Sequence, residues 1–346
     1  MEYDEDHRHP VCPGDPSPPR LIAIPAMGFE YHKNKIYWHP RLLYRRKNSI
    51  RIHKPIFMLG VQGGGLTVMS RIVRLLPQIV YISGNCSFWA GKDELHNSAR
   101  FKHMPDALTL RSPGYYNLLG HEKNHPDFGY ERAFLYASNE FLHEYRLTES
   151  DWTPELDYAI KNAVRVCLRT YAKNLNNAQF IDMSQSYILK IPFLKKCFPD
   201  ARFVIVTRDP YAVCWKQAQV SLIFQKNPKR AVQLAAEHWF NSYKIALNDT
   251  KNMDHVLWLQ FEDFMQKPMP VMKKLFSFLD QSNVDIEKLI AQHSSTPLGS
   301  CDPEKWFPIK TSVNQRHYHT LPEWAKSIIQ SQCDPLIKEF GHAFLF

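Results

Sequence analysis

The segment Pro55-Ile-Phe-Met-Leu-Gly-Val-Gln-Gly-Gly-Gly-Leu-Thr67 decides how this chain is read. Residues 54–60 form an apolar run of strand length, and glycines at positions 60, 63, 64 and 65 close it. Beyond them, Val68, Met69, Ile72, Val73 and Leu76 fall at helical spacing, so the segment predicts a strand, a glycine-rich turn and a helix. The chain has 13 glycines in 346 residues, roughly half the usual frequency of about 7%. Four of them in six consecutive positions are therefore a signal.

The spacing is that of a phosphate-binding loop: two glycines five apart and a hydroxyl residue, Thr67, two positions later. Gln62, Gly63, Gly64, Gly65, Leu66 and Thr67 are the candidate ligand-binding positions. Glycine lets backbone N–H groups turn toward an anion without a Cβ in the way, and the helix that follows adds its positive end. A tight structural turn is the alternative, but the order strand, loop, helix favours phosphate binding. Leu66 stands where a nucleotide hydrolase keeps the lysine that reaches the β- and γ-phosphates, which disfavours an ATP- or GTP-dependent kinase.

A second candidate anion site lies at Ala201-Arg-Phe-Val-Ile-Val-Thr-Arg-Asp-Pro210. An arginine at the carboxyl end of a parallel strand faces the crevice where α/β proteins bind ligands, and its fork suits phosphate. The other reading is an Arg208–Asp209 pair that caps the next helix.

The rest of the chain fits an α/β domain. Further strands are expected at 78–83, 179–183, 201–207 and 255–260. Helices are expected at about 131–145, from 155 with Leu156, Ala159, Ile160, Ala163, Val164 and Cys167 on one face, up to 196, from 211, and at 229–247, 269–279 and 322–340. Strands alternating with helices predict a central, mainly parallel sheet flanked by helices, a single phosphate-loop-like domain. Its expected limits are 54–346, after a disordered acidic, Pro-rich leader and basic arm at 1–53. An irregular insertion at about 84–150 is expected on the acceptor side. His238 and Trp239 are expected in the core.

Composition narrows the class. With 44% hydrophobic and 22% charged residues the chain is neither fibrous nor disordered throughout. The net charge of +9 favours anionic ligands. Eight Lys or Arg and no acid lie between residues 31 and 54; a solvated arm is preferred there to a nucleic-acid or membrane patch. Seven dispersed cysteines without CxxC spacing predict reduced thiols, with no metal site. The start lacks the pattern of a signal peptide, and no stretch of 18 apolar residues exists to span a membrane. A cytoplasmic location is the expectation.

Together these segments resemble the sulfotransferase family that uses 3′-phosphoadenosine 5′-phosphosulfate (PAPS). The family's phosphosulfate loop is matched by residues 55–67, and its 3′-phosphate strand and Arg-x-Pro by 203–216. Residues 181–198, 260–268 and 313–316 resemble three further family segments, the last a loop that closes over the nucleotide. The resemblance implies PAPS as co-substrate, no metal, and a small-molecule acceptor such as a secondary metabolite or sugar, sulfonated on a hydroxyl or an amine-type nitrogen. It implies that Arg208, Lys216 and Arg316 join the loop in binding the nucleotide. Glu94 and His96, in Lys92-Asp-Glu-Leu-His96, are the candidates for catalysis.

The chain also departs from the family pattern. Gly63 takes the place of the loop's usual Arg or Lys, Met183 that of the third segment's Lys, and Lys216 that of a serine. These departures imply altered positioning of the sulfonate, or a compensating cation such as Lys54, Lys190 or Lys216. The alternative is a catalytically silent, nucleotide-binding pseudo-sulfotransferase.

Overall fold

The structure is a computed structural model describing residues 50–81, 135–219, 221–292 and 314–341. Among the described residues five strands form one sheet: β1 (Ile56–Leu59), β2 (Ile79–Val80), β3 (Gln179–Asp182), β4 (Arg202–Thr207) and β5 (Val256–Gln260). Their order is β2-β3-β1-β4-β5 and every pairing is parallel. In register, Ile56 lies beside Ile181 on one side and Arg202 on the other, and Thr207 beside Gln260.

The side-chain period of two divides the core into two layers. Phe57 and Leu59 of β1 and Phe203 and Ile205 of β4 point to one face; Ile56, Met58, Val204 and Val206 point to the other. On the first face pack α3 (Pro154–Tyr171), α4 (Ile191–Cys197), α5 (Pro210–Gln219), α7 (Pro228–Thr250) and α12 (Glu323–Phe340). On the second pack α1 (Leu66–Arg74), α8 (Phe261–Gln266), α9 (Pro268–Phe278) and α10 (Ile286–Gln292). Shorter helices are α2 (Leu142–Tyr145), α6 (Leu222–Lys226) and α11 (Gln315–Tyr318). Local chemistry sets several helix starts: Thr153 accepts from the Leu156 N–H before Pro154, and Asn227 accepts from the Arg230 N–H before Pro228. His238 and Trp239 are buried on α7, as expected.

One expected helix is shorter. Of the expectation at 131–145, only Leu142–Tyr145 is helical among the described residues. The stretch before it is held by α7 instead: His238 Nδ1 accepts from the Ala137 N–H (3.1 Å), Glu237 from that of Asn139 (3.3 Å), and Asn241 donates to the Ala137 carbonyl (2.8 Å). Those backbone groups are satisfied from a neighbouring helix, so they do not need helical partners.

The connections place the site. From β1 the chain leaves through α1 toward β2, and from β4 it leaves through α5 and α7 toward β5. These adjacent strands therefore send their helices to opposite faces and opposite edges. That is a topological switch point, where parallel sheets open a crevice at the carboxyl ends of the strands.

Candidate active site at the ends of β1 and β4

The glycine loop occupies this crevice. The Gly64 N–H donates to the Val61 carbonyl (2.9 Å), which closes a tight turn. Gly63 (φ 76°) and Gly65 (φ 92°) are both in the left-handed region, where a side chain is strained. At Gly65 a Cβ would lie 2.0 Å from the Phe261 ring, so the backbone there needs glycine for space as well as for conformation. At Gly63 a Cβ would meet nothing within 4 Å among the described residues.

The first turn of α1 follows with no side-chain cap and no acidic residue. Its N–H groups and the positive end of the helix are thus available to an anion. Gln62 Oε1 is buried with no hydrogen-bond partner among the described residues. Leu66 is buried in the core beneath the loop, its side chain packed against Gly60, and Thr67 is half-buried. Tyr243 braces the turn from α7: its hydroxyl donates to the Val206 carbonyl (2.8 Å) and accepts from the Val61 N–H (3.4 Å).

Arg208 reaches into the loop from the end of β4. Its Nη1 donates to the Gly63 carbonyl at 2.6 Å, while Nε and Nη2 both donate to Asn314 Oδ1, at 3.0 and 2.6 Å. The guanidinium carbon stands 4.6 Å from the centroid of Phe261, the ring that closes over Gly65. Glu262 Oε1 accepts from Asn314 Nδ2 (2.8 Å) and from the Asp209 N–H (3.0 Å). Asp209 accepts from the Tyr211 N–H (2.7 Å) at the start of α5 and from the Tyr318 hydroxyl. The alternative of a helix-capping Arg208–Asp209 pair is therefore half right: Asp209 caps α5 and Arg208 serves the loop.

Residues 314–320 thus strap the crevice, with Asn314 on Arg208, Tyr318 on Asp209, and Thr320 accepting from Trp215 Nε1 (3.0 Å). Burial raises the carboxyl of Asp209 to about 7; the charge of Glu262 adds to this, and the Tyr211 N–H and Arg208 oppose it. Burial likewise lifts Asp182, at the end of β3, to about 6 against the hydrogen bonds of Ser184. His238 is pushed down to about 3 by burial and is neutral.

The other expected residues are placed less centrally. Lys216 is exposed on α5, and Arg316 falls in α11 with its side chain outside the described residues. Glu94 and His96 also lie outside the described residues, as do the leader and most of the insertion. Lys54 does not compensate for the loop: it precedes the amino end of β1, away from the crevice, where its Nζ pairs with Asp280 at 2.7 Å. Lys190 is wholly buried at the start of α4, its Nζ 5.4 Å from the Tyr187 ring centroid. Phe261, Glu262 and Asn314 lay within segments marked by resemblance, but no motif in the sequence assigned them a task.

A search of curated proteins finds no match. Among solved structures, sulfotransferase STF9 from Mycobacterium avium is 15% identical, covering 82% of this chain and 79% of its own with a TM-score of 0.46. Sulfotransferase STF1 from Mycobacterium tuberculosis H37Rv is 14% identical over 83% and 82%, with a TM-score of 0.45. The sulfotransferase domain from the curacin biosynthetic pathway is 16% identical over 82% and 98%, with a TM-score of 0.42. The model of the sulfotransferase family matches residues 55–285, well over half of the sequence. With a glycine loop after β1, an arginine after β4 and that match joining them, the chain belongs to the sulfotransferase family.

Proposed function

We propose that this chain transfers a sulfuryl group from PAPS to a hydroxyl or amine-type nitrogen of a small polar acceptor. The observation that carries the reading is the loop itself: among the described residues, space above Gly63 and N–H groups without a side-chain cap at the start of α1, with the Arg208 guanidinium at 2.6 Å from the loop backbone. These groups suit a phosphosulfate, whose charge spreads over several oxygens. The co-substrate supplies the sulfuryl group: its bond to the phosphate oxygen breaks as the acceptor oxygen or nitrogen bonds to sulfur, the acceptor loses a proton, and 3′-phosphoadenosine 5′-phosphate leaves.

In this reading Gln62, Gly63, Gly64, Gly65, Leu66 and Thr67 hold the 5′ end through their backbone. Lys216 and Arg316 add positive charge toward the nucleotide. The base belongs to the segment with Glu94 and His96, which follows β2 in the chain; an amine acceptor needs less help from a base. This reading calls for no metal. No described helix is long and apolar enough to cross a membrane. We place the chain in the cytoplasm on the dispersed pattern of its seven cysteines; Cys167, Cys197, Cys214 and Cys333 are buried.

A second reading is favoured by one observation, that residues 60–67 contain no basic side chain. A silent family member would bind the nucleotide and transfer nothing. Incubation with PAPS and a panel of alcohols, sugars and amines, followed by mass spectrometry, separates the two. Acceptor-dependent release of 3′-phosphoadenosine 5′-phosphate with a sulfonated product supports the enzyme. Tight binding with no product from any acceptor class supports the silent protein.

A further inference from the structure

β5 is an edge of the sheet: among the described residues β4 is its only neighbouring strand. The Phe203 N–H donates to the His255 carbonyl across that pair, and along a parallel strand the backbone groups of alternate residues face alternate sides. Those of Val256, Trp258 and Gln260 therefore point away from β4. Sheet edges of folded proteins are blunted by charged residues or proline, or are covered by another segment. Val-Leu-Trp-Leu-Gln carries neither charge nor proline, so this edge calls for a cover. Beside it runs a groove of about 370 Å³, walled by half-buried Leu247, Trp258 and Phe340 from the first layer and Val271 from the second. A row of backbone donors and acceptors between apolar walls suits an extended peptide.

The end of α12 delivers such a peptide to this place. The Phe340 ring lies 5.5 Å from that of Trp258, centroid to centroid, and the Phe340 carbonyl accepts from the Gln260 side-chain amide at the carboxyl end of β5. Gly341 then caps α12 in the left-handed conformation (φ 65°), which turns the chain off the helix axis. The residues that follow, His342-Ala-Phe-Leu-Phe346, lie outside the described residues; four of these five are apolar, and β5 also has five residues.

We propose that residues 342–346 dock in this groove as a sixth strand, antiparallel to β5. The direction follows from the starting point, since a segment that leaves Gly341 beside Gln260 and lies along β5 runs back toward Val256. Five extended residues span roughly 17 Å, so the tail and the edge match in length. The groove reaches Thr207 and Gln260 but includes no residue of the 60–67 loop. The docked tail therefore closes the sheet beside the nucleotide crevice and stands or falls independently of what that crevice binds.

Hydrogen exchange at the Val256, Trp258 and Gln260 amides, compared between the full chain and one ending at Gly341, tests the proposal. Exchange at these amides is expected to be about tenfold or more faster in the shortened chain, with β1 and β4 unchanged. A synthetic peptide of residues 341–346 added to the shortened chain should restore the protection. Equal exchange in the two chains overturns the proposal. Protection in the full chain that fades on dilution, in step with loss of a dimer by light scattering, also overturns it, because a second copy then covers the edge. If the shortened chain does not fold, Phe344→Pro and Leu345→Pro are read in the full-length protein. Neighbouring residues of a docked strand alternate between facing β5 and facing away, so one variant should lose protection several-fold and the other should keep more of it. Full protection in both variants means that the tail is not the cover.

Discussion

Gly63 and Gly65 share a left-handed backbone and differ in what surrounds them, so two substitutions separate conformation from space. Gly63→Ala is expected to cost about 1 kcal/mol for the backbone alone, since no described residue lies within 4 Å of the added Cβ. Gly65→Ala adds a Cβ 2.0 Å from the Phe261 ring, and should cost about 2–4 kcal/mol in denaturant unfolding as the ring is driven off. Equal losses would show that Phe261 does not close the loop. Asp209 allows a pH test. Its carboxyl is raised to about 7, so the native state holds the proton more tightly than the unfolded chain. Stability from this group is fully present below about pH 4 and is lost as pH rises to about 7. Asp182, raised to about 6, contributes the same sign over a narrower range. Asp209→Asn should therefore flatten the decline between pH 6 and 7 and leave part of it between 4 and 6. An unchanged profile would mean that Asp209 is ionised in the native state.

Among the elements, the strap of residues 314–320 and α12 carry the most consequence, because they lie beyond the residues that the family model matches and still complete the site. α12 lies along α7 and α5, with Ile329 and Cys333 fully buried and the Phe340 ring centroid 6.2 Å from that of Trp239 and 5.8 Å from that of Tyr243. Ile329→Ala is expected to destabilise by about 2–5 kcal/mol through the cavity it leaves, measured by denaturant unfolding; a change below about 1 kcal/mol would mean that α12 packs loosely. Much of this was legible from pattern. The strands at β1, β4 and β5 and the long helices at 154–171 and 228–250 follow from apolar period and length, and the glycine cluster marks the loop. The strap was not, because its tasks depend on single contacts, Asn314 to Arg208 and Tyr318 to Asp209, between residues about a hundred positions apart. The helix expected at about 131–145 is cut short for a related reason: α7 supplies the partners of the Ala137 and Asn139 N–H groups and of the Ala137 carbonyl.

At the scale of the whole molecule, one sheet with two helical layers brings three separate stretches to one crevice: residues 60–67, 207–211 and 314–318. A chain ending at residue 292 keeps all five strands and loses both the strap and α12, which leaves the buried rings of Trp239 and Tyr243 uncovered. It should lose cooperative unfolding as well as ligand binding; a truncated chain that melts like the full one would contradict the packing described. The net charge of +9 predicts that affinity for a nucleotide falls as salt rises. The central claim, that the crevice between β1 and β4 is a nucleotide site, is tested most directly by calorimetric titration of 3′-phosphoadenosine 5′-phosphate into wild type and Gly65→Ala at moderate salt. The account predicts saturable binding at one site in wild type and a loss of about tenfold or more in the variant; absence of binding to wild type, or equal affinity for both, would contradict it.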